Sequence, residues 1–299
     1  MGNVTEEAFS ERAMAFGRSQ HLVGVLSMPA AVAAVSPPGI AFISSGIIHR
    51  VGANRIYVRL ARALARRGSA SLRFDLSGIG DSSQPDDQLE VSRAELEQRD
   101  IDDALSLMQR EGVGPLIVAG LCSGADNSLA TIARNEHVSG AVLMDPFVFR
   151  TRRYYVEHYG PRLLRPAAWW NALTGQSTAF KDLAGSVVSR FPRSRSTPVG
   201  DSSLSASTAP SREEFQERLE ALIERGARLL FVFTGGLEER YNYRNQLFDA
   251  FPRIALRAHA ELEYLPDSDH TFSRQAPQRQ LEARIVTWYD THFGTAAVR

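Results

Sequence analysis

The chain is predicted to be an α/β protein with a mostly parallel central sheet, helices on both faces and a lid inserted after the sixth strand. First, short apolar runs alternate with stretches of helical periodicity, a pattern typical of a parallel sheet covered on both faces. Second, hydrophobic residues make up 43% and charged residues 23% of the 299 residues, as in ordinary globular proteins. Third, the alternation is interrupted once, from residue 147 to about residue 211, and then resumes.

The individual elements follow from these patterns. Strand-length apolar runs lie at residues 21–28, 39–44, 69–74, 116–119, 140–144, 228–233 and 261–265. Stretches with helical spacing lie at residues 54–67, 90–110, 123–134, 213–225, 241–250 and 278–293. We take the strand that ends at Met144 as the sixth of the sheet. The chain is thus divided into a first core part (residues 1–146), a lid (147–211) and a second core part (212–299).

The lid sequence combines aromatic side chains with a polar tract. The tract at residues 194–211 is rich in Ser, Thr, Pro and Gly, which predicts a flexible surface loop. The aromatic residues indicate a binding surface for an apolar chain or ring, with ordinary packing of the lid as an equal alternative. They are Tyr154, Tyr155, Tyr159, Trp169 and Trp170.

Charge and cysteine content limit the functional classes. The formal net charge is zero, so nothing indicates a partner in nucleic acid or in an anionic membrane surface. No apolar run approaches the roughly 20 residues that span a bilayer, and no secretory signal is recognised at the start of the sequence. The single cysteine, Cys122, excludes an intrachain disulfide and favours the cytoplasm. Neither a metal-ligand constellation nor a glycine-rich phosphate loop is visible, so we expect no metal and no cofactor.

The segment "GLCSGA", residues 120–125, has the character of a sharp turn that carries a nucleophile between a strand and a helix. Such a turn crowds the positions two before and two after the nucleophile. Centred on Cys122, these positions are Gly120 and Gly124, whereas centring on Ser123 would place Leu121 at a crowded position. We therefore predict Cys122 as the nucleophile. The alternative is a small buried hydrophobic residue, as free cysteines often are.

A catalytic base and an acid are expected later in the chain. Of the seven histidines, only His270 directly follows the last predicted strand, in "LPDSDHTF", where it would lie beside the turn at Cys122. For the acid we prefer Glu238, after the strand at 228–233, over its neighbour Glu239. Asp145, at the end of the strand 140–144, is a third candidate, with capping of the lid or lining of the substrate pocket as its other roles.

Two further segments are expected to shape the pocket. Backbone N–H groups of Ser123 and Ile47 are the predicted oxyanion donors, because Gly46 allows a close approach of the backbone in "ISSGIIHRVG". His49, in the same loop, is either at the substrate entrance or simply solvated. The turn-rich segment "RFDLSGIGDS", residues 73–82, is expected to hold the loops around the pocket.

These motifs resemble the α/β-hydrolase superfamily over about residues 20–145 and 212–293. "GLCSGA" is similar to its nucleophile turn with Cys in place of the usual Ser, and "DSDHTF" to its terminal histidine loop. "RFDLSGIGDS" is similar to the signature D-x-R-G-x-G-x-S, with Ser77 in place of the common Arg. Within the superfamily the chain resembles hydrolases of the serine-aminopeptidase (S33) type. More narrowly, "HRVGANR" and "LARALARRG" resemble segments of the exosortase-system-associated hydrolases.

The resemblance and the residues together predict an enzyme with a Cys-His-acid triad. It would form a thioester acyl-enzyme and hydrolyse or transfer an acyl group from a small ester or thioester, free or carrier-bound. The alternative is a binding or scaffold protein on an inactive hydrolase fold.

Overall fold

The protein is built on one eight-stranded sheet. The computed structural model describes residues 9–30, 37–85, 91–163 and 210–294. The strands are β1 (Phe9–Phe16), β2 (Leu22–Pro29), β3 (Gly39–Ile43), β4 (Ser71–Phe74), β5 (Leu116–Leu121), β6 (Val138–Met144), β7 (Arg228–Thr234) and β8 (Ala260–Leu265). Their spatial order is β1-β2-β4-β3-β5-β6-β7-β8, with β2 antiparallel to both neighbours and the other pairs parallel. The predicted α/β class with a mostly parallel sheet is confirmed.

The described helices cover both faces of this sheet. They are α1 (Ile56–Ala65), α2 (Arg93–Arg110), α3 (Ser123–Arg134), α4 (Arg152–Leu163), α5 (Arg212–Glu224), α6 (Gln246–Ala250), α7 (Leu256–His259) and α8 (Gln275–Phe293). Side chains of α2, α3 and α5 pack in one hydrophobic cluster, and those of α1 and α8 pack in a second. Within β5, Leu116 and Val118 belong to the first cluster, whereas Ile117, Ala119 and Leu121 belong to the second. The pleat therefore divides a continuously apolar strand between two cores.

Several element boundaries differ from the sequence predictions. Patterning did not predict β1, because this edge strand alternates only partly and exposes much of its length. With β1 counted, the strand that ends at Met144 is indeed the sixth. The predicted helix at residues 241–250 is limited to α6. In contrast, α4 forms within a segment expected to be irregular. The rest of the predicted lid at residues 164–209, with Trp169 and Trp170, lies outside the described residues.

The parallel strands place their carboxyl ends at a common edge. The neighbours of β3 are β4 on one side and β5 on the other, so successive connections diverge at this point. Such a divergence leaves a crevice outside the carboxyl ends, where open α/β sheets bind their ligands. The segments that follow β3, β5, β6 and β8 carry the predicted site residues other than Glu238 to this edge. No helix in the described part of the chain is long and apolar enough to cross a membrane.

Candidate active site

Cys122 forms the turn between β5 and α3, and its backbone has a conformation that residues other than glycine rarely adopt. Its φ is 57° and its ψ is −125°. A non-glycine residue in such a region costs about 1–3 kcal/mol and needs surroundings that hold it. The Cys122 N–H donates a hydrogen bond to the Met144 carbonyl at 2.9 Å, and the Cys122 carbonyl accepts one from the Ala125 N–H at 2.8 Å. Strand β6 and the first turn of α3 thus hold the strained residue in place.

The two glycines that flank Cys122 are required by close backbone contacts. A Cβ atom at Gly120 would lie 2.1 Å from the Gly124 carbonyl oxygen, and one at Gly124 would lie 2.4 Å from the Ile43 carbonyl oxygen. Neither position can hold a side chain without displacement of backbone. The crowding predicted two residues before and after Cys122 is therefore present, and it supports the register centred on Cys122 rather than on Ser123.

Cys122, His270 and Asp145 form one chain of interacting side chains. The His270 imidazole Nδ1 lies 2.8 Å from the Asp145 carboxylate Oδ2, and the Cys122 thiol interacts with the same imidazole. Since Nδ1 faces the carboxylate, Nε2 is the nitrogen available to the thiol. The Asp145 side chain is fully buried, whereas that of His270 is 28% exposed.

The pKa of His270 is raised by this arrangement to about 9. The largest cause is the hydrogen bond to Asp145, followed by that to Cys122, while burial acts in the opposite direction. A pKa in this range means that the imidazole is protonated at neutral pH.

The structure places the three candidates for the acid at different distances from His270. Asp145, the third candidate, contacts His270, and among the described residues no hydrogen bond joins Glu238 or Glu239 to that imidazole. The chain after β7 passes close to the His270 loop at Gly235 and Gly236: a Cβ on Gly235 would lie 1.9 Å from the Pro266 carbonyl oxygen. A 3₁₀ turn then carries Glu238 and Glu239 outward, where both are exposed.

The predicted oxyanion donors lie on two loops that touch each other. The Gly46 N–H donates a hydrogen bond to the Ser123 hydroxyl oxygen at 3.1 Å. Gly46 has a φ of +52°, consistent with the predicted need for glycine. Ser123 is the first residue of α3, where N–H groups have no acceptor within the helix. Ile47 follows with a side chain that is 90% exposed. The contact joins the two loops, and the oxyanion role of both N–H groups stays a prediction.

The sequence did not indicate the role of Tyr57, whose hydroxyl links the ends of the two strands that precede these loops. Its buried hydroxyl accepts the Leu121 N–H at 3.0 Å and donates to the Ile43 carbonyl at 3.0 Å. These are the last residues of β5 and β3, immediately before the Cys122 turn and the loop of Gly46. Tyr57 lies within the predicted helix at residues 54–67, and no local pattern distinguishes its hydroxyl from others.

The segment at residues 73–82 holds the loop after β3, as predicted. The buried Asp75 carboxylate accepts the Arg50 backbone N–H at 2.5 Å and also pairs with the Arg50 guanidinium. A second carboxylate, that of Asp81, lies 2.5 Å from the same guanidinium. His49 is exposed on this loop. Its predicted place at the substrate entrance is not decided by these contacts.

Beyond this site, the described residues contain a separate cleft but no cluster of metal-ligating side chains. Within the described ranges, no group of three or more His, Cys, Asp and Glu side chains could hold a metal ion. A separate cleft lies beside the β1–β2 turn and α2, and Cys122, Asp145 and His270 do not line it. Its residues are Arg18, Ser19, His21, Gln84, Pro85, Val91, Leu96, Arg99, Asp100 and Asp103.

Solved structures with the same fold include several hydrolases. An esterase of Pyrococcus furiosus has a TM-score of 0.58 at 12% identity, with 98% of this chain and 96% of that chain covered. A dienelactone hydrolase of Anabaena variabilis has a TM-score of 0.54 at 14% identity, with coverages of 96% and 99%. A serine hydrolase of Xanthomonas campestris, described as lacking a lid, has a TM-score of 0.53 at 15% identity, with 98% of both chains covered.

The sequence itself identifies the family. None of the curated proteins is similar enough to match the chain. The family described as "Serine aminopeptidase, S33" matches residues 36–272, which include all three residues of the Cys122–His270–Asp145 chain. The chain therefore has the α/β-hydrolase fold and belongs to the serine aminopeptidase S33 family of hydrolases.

Proposed function

We propose that the protein is an acyl-transferring hydrolase whose nucleophile is the Cys122 thiolate. The observation that carries the proposal is the chain of interacting side chains from Cys122 through His270 to the buried Asp145, at a turn where positions 120 and 124 have room only for glycine. Cysteine at this position distinguishes the chain from a serine hydrolase, because its sulfur would form a thioester rather than an ester with the acyl group.

The reaction begins with attack of the Cys122 sulfur on the carbonyl carbon of an ester or thioester. The N–H groups of Ser123 and Ile47 would stabilise the oxyanion that forms. The His270 imidazolium gives its Nε2 proton to the leaving alcohol or thiol as the carbon–oxygen or carbon–sulfur bond of the substrate breaks. A thioester between the acyl group and Cys122 remains, and Asp145 keeps the imidazole oriented throughout.

The second half of the reaction releases the acyl group. Nε2 of the now neutral His270 takes a proton from water, an amine or an alcohol, and the acceptor attacks the thioester carbon. The bond to Cys122 breaks, and the thiolate–imidazolium pair is restored. Since a thioester reacts more readily with amines than an ester does, transfer to an amine is a candidate outcome beside hydrolysis. We propose a small acyl ester or thioester, free or carrier-bound, as substrate. A reducing compartment such as the cytoplasm suits the free thiol.

Intact-mass spectrometry with a panel of acyl thioesters tests the proposal. The wild-type protein should gain the mass of one acyl group, while Cys122→Ala should gain none and His270→Ala much less. His137→Ala, which removes an exposed histidine, is the matched control and should behave like the wild type. Product analysis with and without an amine acceptor separates transfer from hydrolysis. No adduct and no turnover, together with a slowly reacting thiol, would contradict the proposal and favour a binding or scaffold protein on this fold.

A further inference from the structure

Asp145 directly follows β6, and its side chain replaces its main-chain carbonyl in the hydrogen-bond ladder between β6 and β7. Met144 pairs with Val232 in the parallel register of β6 and β7, and the Asp145 N–H continues this ladder to the Val232 carbonyl at 2.8 Å. In a regular parallel ladder the Asp145 carbonyl would next accept the Thr234 N–H. Asp145 instead has a φ of +48°. Its carboxylate Oδ1 accepts that N–H at 2.7 Å.

Thr234 holds the second carboxylate oxygen through its side chain. The Thr234 hydroxyl lies 2.6 Å from Oδ2 of Asp145, which is the atom that also faces Nδ1 of His270. The side chain of Asp145 and the whole of Thr234 are fully buried. One residue therefore anchors both oxygens, and these two bonds define the position and the rotation of the carboxylate relative to the imidazole.

We propose that Thr234 is a positioning residue of the active site, which holds Asp145 in the orientation that His270 requires. The inference rests on the proposed function and deepens it: the last residue of β7 contributes a clamp for an acid supplied by β6. Thr234 acts through Asp145, and we assign it no contact with Cys122 or with a substrate.

The two bonds from Thr234 are of different kinds, and this makes the clamp testable. The backbone N–H is present with any residue except proline, whereas the hydroxyl is present only with Thr or Ser. Thr234→Val keeps the volume and the backbone bond but leaves Oδ2 free to rotate away from Nδ1. Because the hydrogen bond to Asp145 is the largest cause of the raised pKa of His270, a looser carboxylate should lower that pKa.

The experiment compares the wild type with Thr234→Val and Thr234→Ser by NMR titration of the His270 ring in histidine-labelled protein and by iodoacetamide alkylation of Cys122. We expect Thr234→Val to lower the His270 midpoint by about one pH unit. It should also slow alkylation at neutral pH about tenfold, as expected for one lost hydrogen bond to a charged group. Thr234→Ser should restore both values. Thr131→Val, which removes another fully buried hydroxyl in α3, is the matched control and should leave both unchanged.

Three results would overturn the proposal. Thr234→Val could titrate and react like the wild type, Thr234→Ser could fail to restore what valine removes, or Thr131→Val could cause the same change. Failure of the proposed function has a different signature: the wild-type Cys122 would react like an ordinary thiol and take up no acyl group, whereas the His270 titration would still report whether Thr234 holds Asp145.

Discussion

The two halves of the candidate active site are encoded in different ways. The nucleophile half lies within five consecutive residues, where Gly120 and Gly124 leave room for the strained turn at Cys122. The acid–base half joins Asp145 to residues 89 and 125 positions away, Thr234 and His270. The first half is a local conformation, and the second exists only because three strands lie side by side in a particular register. Short-range sterics can therefore be deduced from a sequence, whereas the choice among several acids cannot.

The largest expected effect tests the acid. Asp145→Asn would place an amide between Thr234 and His270, so that Nδ1 must accept rather than donate and the imidazolium loses its partner. We expect the rate of Cys122 acylation to fall on the order of 10²- to 10⁴-fold. Stopped-flow or mass-spectrometric single-turnover assays would measure it.

Glu238→Gln is the control for this comparison, because it changes the acid that local patterning favoured. Its exposed carboxylate should be dispensable, with acylation within about twofold of the wild type, as for most surface substitutions. A greater loss in Glu238→Gln than in Asp145→Asn would show that the site uses the acid after β7.

The next effect tests the local half. Gly120→Ala would force a methyl group against the Gly124 carbonyl, so we expect a loss of about 2–4 kcal/mol in the free energy of unfolding and a displaced turn. Denaturant unfolding gives the stability, and iodoacetamide reactivity reports on Cys122. Gly160→Ala, in α4 with open space around the position, is the matched control and should cost little. Equal stabilities of the two variants would contradict the steric account of the turn.

The pH dependence of stability joins the two halves. The pKa of His270 is raised in the folded protein from 6.5 to about 9, so its contribution is fully present below pH 6.5 and is lost as the pH rises through about 9. Because the imidazole is only partly buried, solvent screening reduces the effect, and His270→Gln should lower the free energy of unfolding by on the order of 2 kcal/mol more at pH 6 than at pH 10.

Urea unfolding at several pH values measures this difference. His137→Gln, which changes an exposed imidazole, should show a difference near zero between the same pH values. A pH-independent penalty in His270→Gln would mean that the folded protein does not favour the imidazolium.

The smallest effect concerns the hydroxyl that links the strands before the two predicted oxyanion loops. Tyr57→Phe removes the hydroxyl that joins the ends of β3 and β5 and leaves the buried Leu121 N–H without its acceptor. We expect a loss of about 1–3 kcal/mol in stability. Acylation should slow by a few fold, since the ring remains to fill the space. Thermal melting and single-turnover acylation measure the two quantities, and a variant as stable and as fast as the wild type would show that the ladder alone sets the spacing.

Most of the fold could be predicted from the sequence, because burial on both faces of a parallel strand leaves continuous apolar runs and surface helices leave a 3.6-residue period. The failures lie where these signals weaken. The edge strand β1 is half exposed, and α6 is shorter than its pattern. The helix α4 forms in a segment without helical patterning, where Tyr154 and Arg150 bond to the Glu239 carbonyl and fix it to the loop after β7.

By itself, the sequence determined the candidate nucleophile, Cys122, and its candidate partner, His270. The glycine spacing at residues 120–124 permits one register, and His270 is the histidine that directly follows the last strand. Only the tertiary structure decided which acid lies beside His270 and which residue holds that acid. Glu238, Glu239 and Asp145 all follow strands of the same sheet, and composition does not distinguish them. The left-handed turn at Asp145 lets its carboxylate join the β6–β7 ladder. Gly235 and Gly236 pack against the backbone of the His270 loop, and the chain then carries Glu238 away from it. The choice depends on backbone direction over a few residues, and that direction is set by contacts between strands far apart in the chain.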